Sequence, residues 1–251
     1  MYWEFRHHAK NLNSIGDGMA AAVEQRMKSE RLKTELITNV SHDIKTPLTS
    51  IVNYVDLLQK PHTPEQEAEY LEVLDRQSKR LKKLTEDLVE ASKASTGNMN
   101  VNIVRTNTRE IIEQSLAEYG RRMEQGNLSV IVKIPEEPPQ AMADGRLLWR
   151  VLDNLFNNVV KYALPGTRVY ITSELDGGDA VISVKNISRD PLNISAEELM
   201  ERFVRGDASR HTEGSGLGLN IAQSLVTLMY GRFSLSVDGD LFKAEIRLPK
   251  A

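Results

Sequence analysis

Between Leu32 and Leu58, apolar side chains fall at Leu32, Leu36, Val40, Ile44, Leu48, Ile51, Val55 and Leu58. Steps of three and four place them on one stripe of one long helix. Helix is expected nearly throughout residues 14–95, with a single break at "KPHTPEQ". Pro61 stops the first helix, and Thr63-Pro64 opens the next with proline at its first position. Leu71, Leu74, Leu81, Leu84, Leu88 and Ala91 form the second stripe, which ends at the turn-rich "ASTGN". Two long helices joined by a short loop make an antiparallel hairpin. A lone hairpin cannot cover both stripes, so two chains are expected to combine into a four-helix bundle. The alternative is a hairpin packed on its own C-terminal half.

From residue 99 the period changes. "MNVNIV" and "LSVIVKI" read as strands, with a helix from Thr108 to about Met123 between them. "GRLLWRVLDNLFNNVVKYA" is a strongly apolar helix ended by Pro165-Gly166. "TRVYITSEL" and "DAVISVKN" form a hairpin across Asp176-Gly177-Gly178. A long polar loop over about 187–213 holds one short helix near Ala196–Arg202, and a loop of that length in a compact domain is usually functional. A helix from about Leu217 to Tyr230 and the strands "RFSLSVD" and "LFKAEIRLP" close the chain. The fold class is therefore α plus α/β: a helical hairpin, then a two-layer domain with helices on one face of a mixed sheet.

Composition narrows the function. The 251 residues carry a net charge of -3 with basic residues spread along the chain, which argues against nucleic acid as a partner. There are no cysteines, so disulfides, thiolate chemistry and Cys-type zinc sites are excluded. No apolar run approaches the ~20 residues needed to cross a bilayer. "MYWEFRHHAK" lacks the apolar segment of a signal peptide. A cytoplasmic chain is expected.

The candidate nucleophile is in "SHDIKTPLTS", residues 41–50. At 100° per residue His42 lies roughly 165° from the apolar stripe, so it faces solvent. Thr46, four residues on, shares its face. Asp43 is close enough to hydrogen-bond the imidazole, and a carboxylate on one ring N–H raises the basicity of the other nitrogen. Pro47 leaves a carbonyl one turn earlier without its donor. An exposed His-Asp pair on a charged helix is common, and these residues alone leave both readings open.

Four motifs in order then carry a resemblance. "SHDIKTPLTS" is similar to the histidine box of the sensor histidine kinases of two-component signalling, and "NLFNNVVKY" (154–162) to their asparagine box. "ERFVRGDASR" (201–210) resembles the phenylalanine box and "GSGLGL" (214–219) the second glycine box. The resemblance implies a Bergerat-type ATP-binding fold after a dimeric hairpin. It implies ATP and Mg²⁺ as cofactors and a response-regulator receiver domain as partner, beside a homodimer. Asn154 and Asn158 share one helix face, and Asn158 matches the asparagine that holds Mg²⁺ through its amide oxygen. Lys161 matches the basic residue that meets the ATP phosphates, and Tyr162 the aromatic near the nucleotide. Phe203 and Arg205 would belong to the lid. Gly214, Gly216, Leu217 and Gly218 precede a helix whose N–H groups can face phosphate. Thr46 matches the position that orients water for removing phosphate from the partner.

One box departs from the family pattern. The first glycine box reads D-x-G-x-G in the family, its aspartate accepting from the adenine amine. Here "NISRDPLN" puts Asn186 at the aspartate position and Ser188 and Asp190 at the glycines. An amide oxygen still accepts, but charge-assisted bonds are roughly twice as strong, so weaker nucleotide use is expected. The last hairpin, "GDLFKAEI", lacks the family's small-residue turn. "LNSIGDGMAAAVEQRMKSERLKTELI" resembles the end of a HAMP-like signalling linker. That gives a linker helix over 1–32, a dimerisation and phosphotransfer hairpin over 33–97 and a catalytic ATP-binding domain over 98–251. Contact with a membrane is expected only through upstream segments outside this sequence.

The resemblance implies an ATP-dependent protein-histidine kinase. His42 takes the γ-phosphoryl group with Asp43 as base, then passes it to a receiver aspartate, with phosphatase activity toward that partner. Two rivals remain: a scaffold or phosphatase with impaired nucleotide use, and a chaperone- or topoisomerase-type ATPase, which has no need of a histidine box.

Overall fold

The computed structural model describes residues 41, 43–95, 99–192, 195–201 and 216–251. It divides into two compact units, Met1–Ser78 and Lys79–Ala251, so the division falls inside a helix.

In the first unit, α1 runs over 43–58 and stays helical through Pro47. α2 spans Pro64–Ser95. Its start is a reciprocal cap: Gln66 N–H donates to Thr63 Oγ1 at 3.3 Å, and Thr63 N–H to Gln66 Oε1 at 2.9 Å. The hairpin end is closed by Tyr54 packing edge-on against Tyr70. Within α1, Leu48, Val52 and Val55 remain 47%, 59% and 41% exposed, and Leu71 on α2 remains 51% exposed. Both expected stripes are thus partly uncovered within a single chain.

The second unit holds β1 (Val104–Asn107), α3 (Thr108–Gln125), β2 (Ser129–Lys133), β3 (Gln140–Ala143), α4 (Gly145–Tyr162), β4 (Arg168–Asp176), β5 (Asp179–Ile187), α5 (Ala196–Glu201), α6 (Gly218–Leu228), β6 (Arg232–Asp238) and β7 (Leu241–Pro249). Five strands form one mixed sheet in the order β2-β4-β5-β7-β6, with only the β2–β4 pair parallel. Register aligns the apolar positions on one face: Ile171 opposite Val184, Val184 opposite Ala244, Ile182 opposite Ile246. These side chains are buried, as are Leu148, Leu152, Leu155 and Phe156 of α4 and Ile221, Leu225 and Val226 of α6. Helices on one sheet face give the expected two layers.

Three local expectations meet differing outcomes. The β4–β5 hairpin turns on Gly177-Gly178 at φ +59° and +94°, the left-handed pair that a two-residue hairpin needs. β1 lies later than the expected strand at 99–104, because Asn102 N–H is taken by the Asp144 carboxylate at 3.0 Å. β3, which pairs antiparallel with β1, was not expected at all. The closing β6–β7 turn does have a glycine, Gly239 at φ +56°.

Asp144 caps α4. Its Oδ1 accepts from Arg146 N–H at 3.0 Å and Leu147 N–H at 3.4 Å. Burial pushes this carboxyl up, but the Arg146 side chain and the N–H groups of Asn102, Arg146 and Leu147 outweigh it and hold it below the usual range. An acid depressed on folding stabilises the protein above its unfolded pKa, about 3.9, and loses that contribution as pH falls through the folded value. Asp144→Ala is expected to cost about 1 kcal/mol at neutral pH. Urea unfolding should show that difference shrinking as the pH is taken below about 4.

Candidate functional site

α4 carries the densest set of candidate residues. Asn154, Asn158, Lys161 and Tyr162 fall within one arc of about 100° around this helix, which also holds the buried Leu147 and Val151. Asn154 is only 6% exposed, and its Nδ2 is a fully buried donor with no hydrogen-bond partner among the described residues. A buried unmade bond costs roughly 1–3 kcal/mol, so such a group calls for a ligand. Its Oδ1 lies 3.4 Å from where a Cβ on Gly218 would sit. Glycine at 218 thus lets the first turn of α6 come up against Asn154.

That turn is built for close approach. Gly216 sits at φ +67°, in the region that favours glycine. Leu217 is fully buried and anchors the turn, its carbonyl accepting from Ile221 N–H at 2.9 Å. Its side chain gives no cap, so it satisfies none of the first N–H groups of α6. Those groups suit an anion.

The other end of α4 is tied to the segment after Asn186. Leu164 N–H donates to the Ile187 carbonyl at 2.8 Å, and Arg189 N–H to the Tyr162 carbonyl at 2.8 Å. Ser188, one of the two residues at glycine positions, is buried and donates its N–H to the Asp240 carbonyl at 2.7 Å. Asn186 is 5% exposed, and its Nδ2 donates to the Ile187 carbonyl at 3.2 Å. Turning that amide over would set two acceptors against each other, so Oδ1 faces away as the acceptor. Residue 186 thus presents a neutral acceptor oxygen.

Asn158 and Lys161 are half-buried, and no described residue hydrogen-bonds the Asn158 amide. Its oxygen is a hard ligand of the kind Mg²⁺ prefers. Among the described residues no cluster of His, Cys, Asp or Glu is placed to hold a metal, so a metal here would rest on amide and phosphate oxygens. The residues present fit Mg-ATP. On α1, Asp43 is half-buried and Thr46 exposed, and both are engaged by neighbours. His42, Phe203, Arg205 and Gly214 lie outside the described residues.

The sequence reading passed over Arg150 and Asp153, which stand on α4 beside the asparagines. Tyr119 O–H donates to Asp153 Oδ1 at 2.5 Å, and burial together with that carboxylate pushes the phenol well above its usual range. Arg150 binds Asp153 and reaches Asp87 and Glu90 of α2. The available signal was a pair of opposite charges three residues apart, flanked by the apolar Leu147, Leu148, Val151 and Leu152.

Residues 32–97 match the His Kinase A (phospho-acceptor) domain family. Residues 143–251 match the histidine kinase-, DNA gyrase B-, and HSP90-like ATPase family. The chain is 31% identical over 249 residues to the histidine protein kinase SaeS of Staphylococcus aureus (strain Newman), covering 92% of this chain and 68% of that protein. It is 27% identical over 229 residues to the sensor histidine kinase YcbM of Bacillus subtilis, covering 90% and 74%. The fold is similar to that of histidine kinase ThkA, solved in complex with response regulator protein TrrA, with a TM-score of 0.69 at 22% identity over 91% of this chain and 65% of that one. With a phospho-acceptor domain followed by this ATPase domain and that likeness to SaeS, the chain belongs to the sensor histidine kinases.

Proposed function

We propose that the chain transfers the γ-phosphoryl group of Mg-ATP to His42 and passes it to an aspartate of a separate response-regulator receiver domain. The observation that carries the nucleotide site is the buried Asn154 Nδ2, a donor with no hydrogen-bond partner among the described residues, on a side chain whose Oδ1 lies against Gly218 at the start of α6. One nitrogen of the neutral His42 ring attacks the γ-phosphorus, the bond to the ADP oxygen breaks, and Asp43 takes the proton from the other ring nitrogen. Lys161 and the N–H groups of α6 meet the phosphate charge, and Asn158 would hold Mg²⁺ through its oxygen. Bound there, Mg²⁺ supplies charge neutralisation across the phosphates. Tyr162 would flank the base and Asn186 accept from its amine, with Phe203, Arg205 and Gly214 contributing from the lid.

ThkA's structure with TrrA supports a receiver domain as partner. Exposed Leu48, Val52, Val55 and Leu71 support a homodimer through the hairpin. Thr46, exposed on α1, would orient the water in dephosphorylation of the partner. In this reading 1–32 is a linker, 33–97 the phosphotransfer hairpin and 98–251 the catalytic domain. Incubation of the chain with γ-labelled Mg-ATP tests the proposal: label on the protein that needs Mg²⁺ supports it, and a folded chain that binds no nucleotide contradicts it.

The neutral Asn186 and the buried Ser188 favour a second reading, a scaffold or phosphatase with poor nucleotide use. The two are separated by Asn186→Asp, which restores charge to the base contact. Mg-ADP is expected to bind about tenfold more tightly to that variant by calorimetry, the gain of one charge-assisted bond.

A further inference from the structure

We infer that Arg150 is a positioning residue for the nucleotide site, and that Asp87 and Glu90 of α2 are part of that site's support. The inference rests on the reading of α4 as the nucleotide-holding helix.

Arg150 Nε donates to Glu90 Oε2 at 2.8 Å, and its Nη2 to Asp87 Oδ1 at 2.8 Å. Nη1 binds Asp153, which in turn accepts from Tyr119 on α3. One guanidinium therefore joins α2, α3 and α4. All four charged side chains are shielded: 16% exposed for Arg150, 5% for Asp87, 19% for Glu90 and 14% for Asp153. Lys83 lies 3.3 Å from Asp87, but half of it is in water. The three carboxylates repel one another without the guanidinium, so the joint depends on Arg150.

The placement of this joint gives it a role. Arg150 is four residues before Asn154, and at 100° per residue the two differ by about 40° around the helix. Rotation or axial movement of α4 that loosened Arg150 from α2 would displace Asn154, Asn158 and Lys161 together, since they share one rigid helix. Buried ion clusters add little net stability over apolar packing, and fixing register is their best-attested use. α2 is also the helix that continues into the phosphotransfer hairpin. Its second half, from Lys79 on, belongs to the same compact unit as the ATPase domain. The nucleotide site is thus held partly from outside the segment that matches the ATPase family, residues 143–251.

The test is calorimetric binding of Mg-AMPPNP to the full chain and to two kinds of variant. Arg150→Gln removes the joint from the α4 side. The double variant Asp87→Asn with Glu90→Gln removes it from α2 without touching α4, so a folding defect in the first cannot mask the answer. Both are expected to raise Kd about tenfold, the usual effect of losing a group that orients ligand-binding residues. Arg150→Lys keeps the charge but not the fork, and falls between. A purely structural joint would lower the melting temperature while leaving Kd unchanged well below that temperature. That result, or an unchanged Kd in the α2 double variant, overturns the inference. Absence of binding to the unaltered chain overturns both the inference and the nucleotide reading.

Discussion

His42→Gln is expected to abolish transfer of label from γ-labelled ATP to the chain. Glutamine is close to histidine in size and polarity, but its amide nitrogen has no available lone pair to attack phosphorus. The expected direction of His42, roughly 165° from the apolar stripe, makes the change inexpensive for folding. Nucleotide binding should be unaltered, because the candidate nucleotide residues lie in the other compact unit. Loss of label with normal Mg-ADP binding separates a missing acceptor from a damaged ATP site. Full labelling of His42→Gln would place the acceptor elsewhere, and the histidine box would then be an exposed His-Asp pair with no chemistry.

Asn158→Ala carries the second large effect, a fall in labelling rate of about a hundredfold or more, as for other single groups that stabilise transition-state charge. The side chain is half-buried and hydrogen-bonds no described residue, so its removal should leave unfolding free energy within about 0.5 kcal/mol of the unaltered chain. A metal-site loss has a further mark: raising Mg²⁺ should recover part of the rate, whereas raising ATP at fixed low Mg²⁺ should not. A variant as fast as the unaltered chain would remove Asn158 from the metal site.

The parts of this molecule legible in its sequence are those set by neighbours along the chain. The Thr63–Gln66 cap, the Gly177-Gly178 turn and the extent of α4 all follow from residues within a few positions of one another. β3 was not legible, because "QAMA" has no β-branched residue and gains its strand form from pairing with β1. β1 was displaced for a related reason, since Asp144 draws on Asn102 from 42 positions away. In the candidate site the asparagine and glycine motifs were readable as types. The opposition of Asn154 to Gly218, on two different helices, needed the folded chain. The Arg150 joint was invisible for the same cause, its partners on α2 lying 60 and 63 residues away.

The central claim is that phosphate moves from ATP to an imidazole nitrogen of His42, and the chemical stability of the product tests it most directly. The labelled chain is divided between acid and alkali, and the label that survives each is mapped to a residue. A phosphoramidate at His42 predicts label lost in acid, retained in alkali, and confined to the peptide that contains residue 42. Label that survives acid and is lost in alkali, on a serine or threonine, would contradict the account.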